Sequence, residues 1–548
     1  MRIAGSSRSR FIARVAALPP LAAAAAMLPA SSLALAADDA PPPAAALQDM
    51  ARRLDQLEKK NAELEGEVKT LHAADGEAWL SEERAAQIRA IVSDTLADAD
   101  GRASLQGSGM TAGWDNGFFL GSPDGRFKLQ VGGMIQARYI YGSVREPPST
   151  GGLTAPRWAD GQEQRSGFDT GNSQLWFAGH VFGPGLTFKL RGRFANDVGT
   201  NVTLTNPALA DEAGGGAFQL EDAWARIELD ANWFVRVGQF RLPFSREELV
   251  DPEYVFGVDR SLVSYSLGLS YSQGIELAYI SDLWRAQMAY SDGGKDEVGG
   301  QMKLVGTLPQ NRRWDYTPTD WSLTGRIEFK PYGEWKDFDT FTSTPGSDFG
   351  LMFGLGAHWQ STRPDYGRTP LVPPVTRNEN DWLMVTADAS MNFGGASLFS
   401  SFTWSYTDSR SAYYYGNFAN LPNVDEDVGV ANKWGFVLQG GFYVTPKVEL
   451  FARYELGQLS FSDPDRVDIG GTGGNPALVN QILARENHLN LATVGVNWYL
   501  DGHDAKFTGD FGYAFDSVSP SWYTPQTGWR VSDATDQWVA RLRFQIVF

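Results

Sequence analysis

From Arg126 onward the chain alternates apolar and polar side chains with a period of two, and it returns to that period until its last residue. Successive side chains of a strand point to opposite faces, so each such segment presents one apolar and one polar surface. In the first segment Phe127, Leu129, Val131, Gly133, Ile135, Ala137, Tyr139 and Tyr141 share a face opposite Arg126, Lys128, Gln130, Met134, Gln136 and Arg138. The last repeats it, with Trp538, Ala540, Leu542, Phe544, Ile546 and Phe548 opposite Gln537, Arg541, Arg543 and Gln545. Runs this long, roughly three times the usual strand of a soluble sheet, favour a closed barrel whose outer face meets lipid.

Segments of the same kind fall near 126–141, 172–182, 186–194, 220–229, 232–241, 272–280, 283–291, 321–330, 351–360, 382–393, 396–406, 433–443, 447–456, 488–500, 505–515 and 536–548, sixteen in all. Their connections alternate. Gly183-Pro184-Gly185, Asp230-Ala231, Ser281-Asp282, Gly394-Gly395, Thr445-Pro446 and Asp501-Gly502 are tight, whereas those between are long and polar, as the two rims of an outer-membrane barrel require. One connection breaks the rule: 331–350 is long on the rim that should be short. No 40- to 50-residue repeat supports a propeller. Aromatics at strand ends, among them Tyr139, Tyr141, Trp538 and Phe548, suit the interfacial girdles.

The N-terminal part has a different period. Arg2, Arg8, Arg10 and Arg14 precede an Ala/Leu-rich stretch ending at Ala36, so residues 1–36 read as a secretory signal peptide and 37–46 as a linker. Beyond it a heptad seam places Leu47, Leu54, Asn61 and Val68 at a and Met50, Leu57, Leu64 and Leu71 at d, a coiled coil followed by an amphipathic helix from Ser81. The expected organisation is a periplasmic helical segment over 47–105 and a barrel over 106–548. The fold class is therefore all-β, a 16-stranded antiparallel transmembrane β-barrel with an N-terminal α-helical coiled-coil segment.

Composition removes several functions. The chain has no cysteine, which excludes a disulfide scaffold, a thiolate metal site and a cysteine nucleophile. With 47 basic and 65 acidic residues its net charge is −18, so nucleic acid is not an expected partner. The five histidines are scattered singly, and no catalytic constellation, cofactor motif or metal-ligand spacing is present.

The terminal Phe548, the alternation and the stretch Gly238-Gln239-Phe240-Arg241-Leu242-Pro243-Phe244-Ser245-Arg246-Glu247-Glu248 resemble the phosphate-selective porin O and P family. That resemblance implies a trimeric outer-membrane porin of a Gram-negative-type bacterium, each subunit with its own pore narrowed by an inward-folded third loop. Here that loop spans 242–271 and offers Arg246, Glu247, Glu248, Tyr254 and Arg260 as constriction residues. Family members owe their phosphate preference to a lysine-rich constriction, and this loop has no lysine.

Inward parity identifies the pore lining. It carries Lys128, Arg138, Lys189, Arg191, Arg193, Arg226, Arg236, Arg326, Arg453, Lys506, Arg541 and Arg543 against eight acids, a wall that tips basic inside an acidic chain. Lys189, Arg191 and Arg193 form a ladder with steps of about 7 Å. Cationic rings favour anions where walls are close, unless the cations pair with neighbouring carboxylates and leave a weakly selective channel. The function expected is passive diffusion of small hydrophilic solutes with a preference for anions, phosphate among them. Two other functions fit the pattern: an outer-membrane anchor whose coiled coil contacts the cell wall, and a secreted glycan-active β protein.

Overall fold

The computed structural model describes residues 110–115, 117–145, 163–195, 217–294, 319–362, 377–413, 424–461, 488–519, 522, 527–530 and 535–548. All lie in the unit Gln106–Phe548. The expected signal peptide, linker, coiled coil and amphipathic helix lie outside the described residues.

Nineteen strand segments form one antiparallel sheet. They are β1 (Thr111–Trp114), β2 (Phe118–Gly121), β3 (Lys128–Ser143), β4 (Gln164–Asp169), β5 (Ser173–His180), β6 (Leu186–Ala195), β7 (Ala217–Glu228), β8 (Trp233–Arg241), β9 (Tyr271–Ile280), β10 (Trp284–Ser291), β11 (Thr319–Tyr332), β12 (Gly350–Thr362), β13 (Arg377–Asn392), β14 (Ala396–Tyr413), β15 (Val424–Thr445), β16 (Val448–Phe461), β17 (His488–Asp501), β18 (Ala505–Ala514) and β19 (Gln537–Val547). β4 and β5 pair with successive parts of β3, so together they make one position of the ring. β1 and β2 form a hairpin, and β2 lies along Lys128–Val131, just past the end of β19. The closed ring thus has sixteen strands, sealed where β19 pairs with β3 from Trp538↔Ser143 to Val547↔Met134.

The pleat separates two solvents. Ile135, Leu190, Ile275, Ile327, Leu355, Val494 and Leu542 stand exposed on the outer face. Many of their strand neighbours point inward and are polar and buried, among them Gln136, Arg191, Glu276, Arg326 and Arg541. Aromatic pairs mark the strand ends, with Tyr141 stacked on Trp538 at 5.2 Å and Trp284 tilted against Phe329 at 4.5 Å. These are the features by which an outer-membrane barrel shows lipid only every second residue.

Two connections fold into the lumen. The loop between β8 and β9 carries two short helices, α1 (Arg246–Leu249) and α2 (Leu262–Leu267). Its Leu242, Phe244, Leu262, Val263, Leu267 and Leu269 pack with inward residues such as Trp382, Met384, Val437, Leu491 and Val539. The long connection between β11 and β12 breaks the short-turn rule because it also turns inward. After the short helical turn Trp335–Phe338, its Phe341 packs with Val255 and Phe256 of the β8–β9 loop and with Phe399 and Phe451 of the wall.

Candidate functional site

The wall holds the β8–β9 loop largely by its backbone. Arg543 donates to the carbonyl of Val258 (2.9 Å), Arg453 to that of Asp259 (2.9 Å), Arg326 to that of Phe244 (2.9 Å) and Lys506 to that of Glu253 (2.7 Å). Carboxylates complete the attachment from the same side. Glu455 accepts from the amide of Leu262 (2.6 Å) and Asp510 from that of Val258 (2.9 Å). Asp259, fully buried, bridges Arg138 (2.6 Å) and Arg541 (3.4 Å) across the β3–β19 seam. Charge-assisted bonds of this kind are among the stronger ones available to a buried loop.

Arg246 links the two inward connections. It donates to the carbonyl of Thr340 (3.0 Å) and lies over the rings of Phe338 and Phe341. Burial lowers its pKa to about 10, so it stays charged at neutral pH. Glu247 accepts from the amide and hydroxyl of Ser261, and Glu248 from the amides of Leu269 and Ser270. Arg260 donates to the carbonyls of Glu247 and Val250. Tyr254 meets His503 edge-on at 5.0 Å, and burial beside Glu253 pushes its phenol up to about 12. Four of the five constriction residues expected from the sequence therefore hold the loop's own shape or its contacts, and Tyr254 is half-buried.

The inward cations divide in two. Arg138, Arg326, Arg453, Lys506, Arg541 and Arg543, on β3, β11, β16, β18 and β19, are buried under the loop. The sequence assigned them to the pore lining, but their partners make them attachment points. Lys189, Arg193, Arg226 and Arg236, on β6 to β8, remain partly exposed, and Arg285 on β10 joins them. Arg285 is absent from the sequence-derived set, although alternation with the exposed Trp284 and Met288 places it inward.

The partly exposed cations are paired, and most pairs are polarised. Side-chain exposure is 18% for Arg236 against 0% for Glu276, and 27% for Arg285 against 4% for Glu328. It is 25% for Arg193 against 8% for Glu221, and 21% for Lys189 against 10% for Asp222. The acid sits in the wall and the cation stands in front of it, so a nearly neutral pair shows the lumen a positive end. Local backbone geometry contributes, because the register of β6 on β7 shifts between Arg191 and Gly192 and buries both Glu221 and Asp222. Arg226 is partly exposed and Glu228 more so, and that pair lacks this polarity. Arg191 reverses it: the guanidinium is buried and donates to the more exposed Asp251 of the loop at 2.8 and 3.1 Å. The Lys189/Arg191/Arg193 ladder therefore faces inward as its parity requires, but Asp251, Asp222 and Glu221 offset it. Lys128, at the rim, pairs with Asp115 at 2.6 Å.

Aromatic rings flank these cations. Arg226 lies 3.9 Å from the ring centroid of Phe234, Arg236 4.4 Å from Phe240 and 5.5 Å from Trp224, Arg191 5.4 Å from Trp176, and Arg285 4.3 Å from Trp335. Among the described residues no cluster of metal-binding side chains is present.

Among solved structures, the chain is similar to the trimer form of the outer-membrane protein OmpT of Vibrio cholerae, at 10% identity over 77% of this chain and 99% of that one, with a TM-score of 0.42. It is similar to the outer-membrane channel DcaP of Acinetobacter baumannii at 11% identity, covering 77% and 97% of the two chains, with a TM-score of 0.43. Salmonella typhi OmpF gives 11%, 77%, 98% and 0.40 for the same quantities. No curated protein sequence matches. Residues 160–318, the stretch that carries β4 to β10, the inward loop and the partly exposed cations, match the family model of the phosphate-selective porins O and P.

Proposed function

We propose that the protein is an outer-membrane porin that passes small hydrophilic solutes by diffusion and prefers anions. The barrel and the family match support the porin; the polarised pairs on β6 to β10 carry the preference. An anion approaching Arg236 or Arg285 meets the cation first and the acid behind it, in a confined space where the field is poorly screened. Because each cation is already partly neutralised, the solute is held weakly enough to leave. Phosphate selectivity has less support. The loop 242–270 offers no lysine, and Arg246 and Arg260 are engaged by backbone carbonyls. A homotrimer in the outer membrane, with the N-terminal segment in the periplasm, follows from the family resemblance.

The test is the reversal potential of single channels in a potassium chloride gradient. Anion selectivity is expected, and it should fall when Arg236→Glu and Arg285→Glu are combined. A cation-selective wild type would sink the proposal.

A further inference from the structure

Inward positions of a water-filled barrel ordinarily carry polar groups, and apolar rings belong on the lipid face. Three tryptophans depart from that rule on the partly exposed wall. Trp176 on β5 and Trp224 on β7 take inward positions, and Trp335 lies in the inward turn between β11 and β12; all three are half-buried. Each lies beside a cation: Trp176 by Arg191, Trp224 by Arg236, and Trp335 by Arg285.

Registers place these units in succession. Trp176 pairs with Arg191, Trp224 with Lys189 two residues nearer the short-turn rim, Arg226 with Arg236, and Arg285 lies at the start of β10 on that rim. The first steps are of the order of 7 Å, the two-residue repeat of a strand, and the last is about twice that, because Arg236 pairs with Glu276 whereas Arg285 pairs with Ile280. Two of the three indole N–H groups have partners, Trp224 on Asp222 (3.2 Å) and Trp335 on the carbonyl of Ser281 (2.7 Å). Those rings therefore offer a solute apolar surface and no hydrogen bond. The cations beside the rings are guanidiniums with the exception of Lys189, and a guanidinium is flat and more weakly hydrated than an ammonium.

From this juxtaposition we propose that the channel favours organic anions with a planar apolar body, aromatic monocarboxylates being the simplest, over inorganic phosphate. The carboxylate passes among the partly exposed Lys189, Arg236 and Arg285 while the body lies along the neighbouring indole; Arg191, buried against Asp251, flanks Trp176 without meeting the solute. Phosphate has no apolar part for the rings to contact and keeps a tightly held water shell. This proposal rests on the anion-selective reading above.

The experiment uses the full-length protein in planar lipid bilayers, with benzoate, acetate or phosphate added to a chloride current and the half-blocking concentration recorded for each. Benzoate is expected to block at about one-tenth the concentration of acetate, with phosphate no better than acetate. In Trp176→Leu/Trp224→Leu, each block referred to the variant's own chloride current, the ratio should narrow to about two. Equal potency of benzoate and acetate in the wild type, stronger block by phosphate, or a ratio that survives the double substitution would overturn the proposal. The wild-type ratio needs no variant to fold. A cation-selective reversal potential in potassium chloride alone would defeat the underlying reading instead; anion selectivity without benzoate preference defeats only this one.

Discussion

Asp251→Asn should make the channel more anion-selective. Asp251 accepts two bonds from Arg191, lies 4.0 Å from Lys189 and 3.2 Å from Arg241, and is more exposed than Arg191. The cluster of Lys189, Arg191, Arg241, Asp222 and Asp251 carries a net charge of +1, which the near-isosteric substitution raises to +2. An ion touching these side chains lies roughly 7 Å from the carboxyl, where one charge is worth about 0.6 kcal/mol at a water-like dielectric and about 2.4 kcal/mol at an effective value near 20. An anion gains what a cation loses, and screening over a Debye length of about 8 Å leaves roughly 0.4 of each, so the chloride-to-potassium permeability ratio should rise about two- to thirtyfold. Reversal potentials of the two proteins in the same salt gradient measure it. Acidification from pH 7 to 5 should not mimic the substitution. Burial tends to raise the Asp251 pKa, but Arg191, Lys189 and Arg241 hold it well below the usual carboxylate range, so the charge survives throughout that window. Its stabilising effect is present above the unfolded value, near ~4, and is lost only as pH falls through the lower folded one. An unchanged or reduced ratio in the variant would mean that ions do not pass Asp251.

Arg326→Ala takes the buried partner from Asp388 and leaves Glu328 with Arg285, and should cost about 3–5 kcal/mol, read as a lower temperature for loss of the compact, detergent-resistant form. Phe341→Ala removes a ring packed on Phe256 and Phe399, and about 3–5 kcal/mol with it. Freed from the β8–β9 loop, the inward turn should admit more current, so single-channel conductance rises; unchanged conductance would place the turn outside the ion path. Gly133→Val puts a Cβ 2.6 Å from the Phe548 ring at the seam where the two backbones exchange hydrogen bonds of 2.8 and 2.9 Å. The folded fraction on heat-modifiability gels should drop.

The strands were legible because lipid enforces their alternation. All sixteen expected segments have a counterpart, and misplacement concentrates at ends that run beyond the apolar band. β15 starts at Val424 rather than 433, β13 at Arg377 rather than 382, and β14 continues to Tyr413 rather than 406. Past the membrane nothing requires every second residue to be apolar, so pairing continues after the pattern has faded. β4 was invisible for the same reason: Gln-Arg-Ser-Gly-Phe-Asp has no apolar alternation. Parity also told which cations face inward. It carried no information on which of them the loop covers, because Arg138 meets Asp259 and Arg453 meets its carbonyl across more than a hundred residues of chain. The anomalous length of the β11–β12 connection was visible, but its inward course depends on Phe341 finding Phe256, Phe399 and Phe451, three separate parts of the chain.

The same kind of ion pair serves two ends in this barrel, and covering decides which. Under the loop, Arg326, Arg453, Lys506 and Arg543 direct donors at backbone carbonyls, groups that every residue carries. These bonds do not depend on which side chains the loop turns toward the channel, so Asp251→Asn changes the charge there while they persist. On β6 to β10 the cations of the pairs stay partly exposed, and their effect on a solute follows from depth. Reversing the order of one pair, with Arg236→Glu and Glu276→Arg, conserves charge and composition but places the acid in front. If depth is what selects, that exchange should lower anion preference as far as Arg236→Glu alone does or nearly so; if only net charge counts, it should restore the wild-type reversal potential.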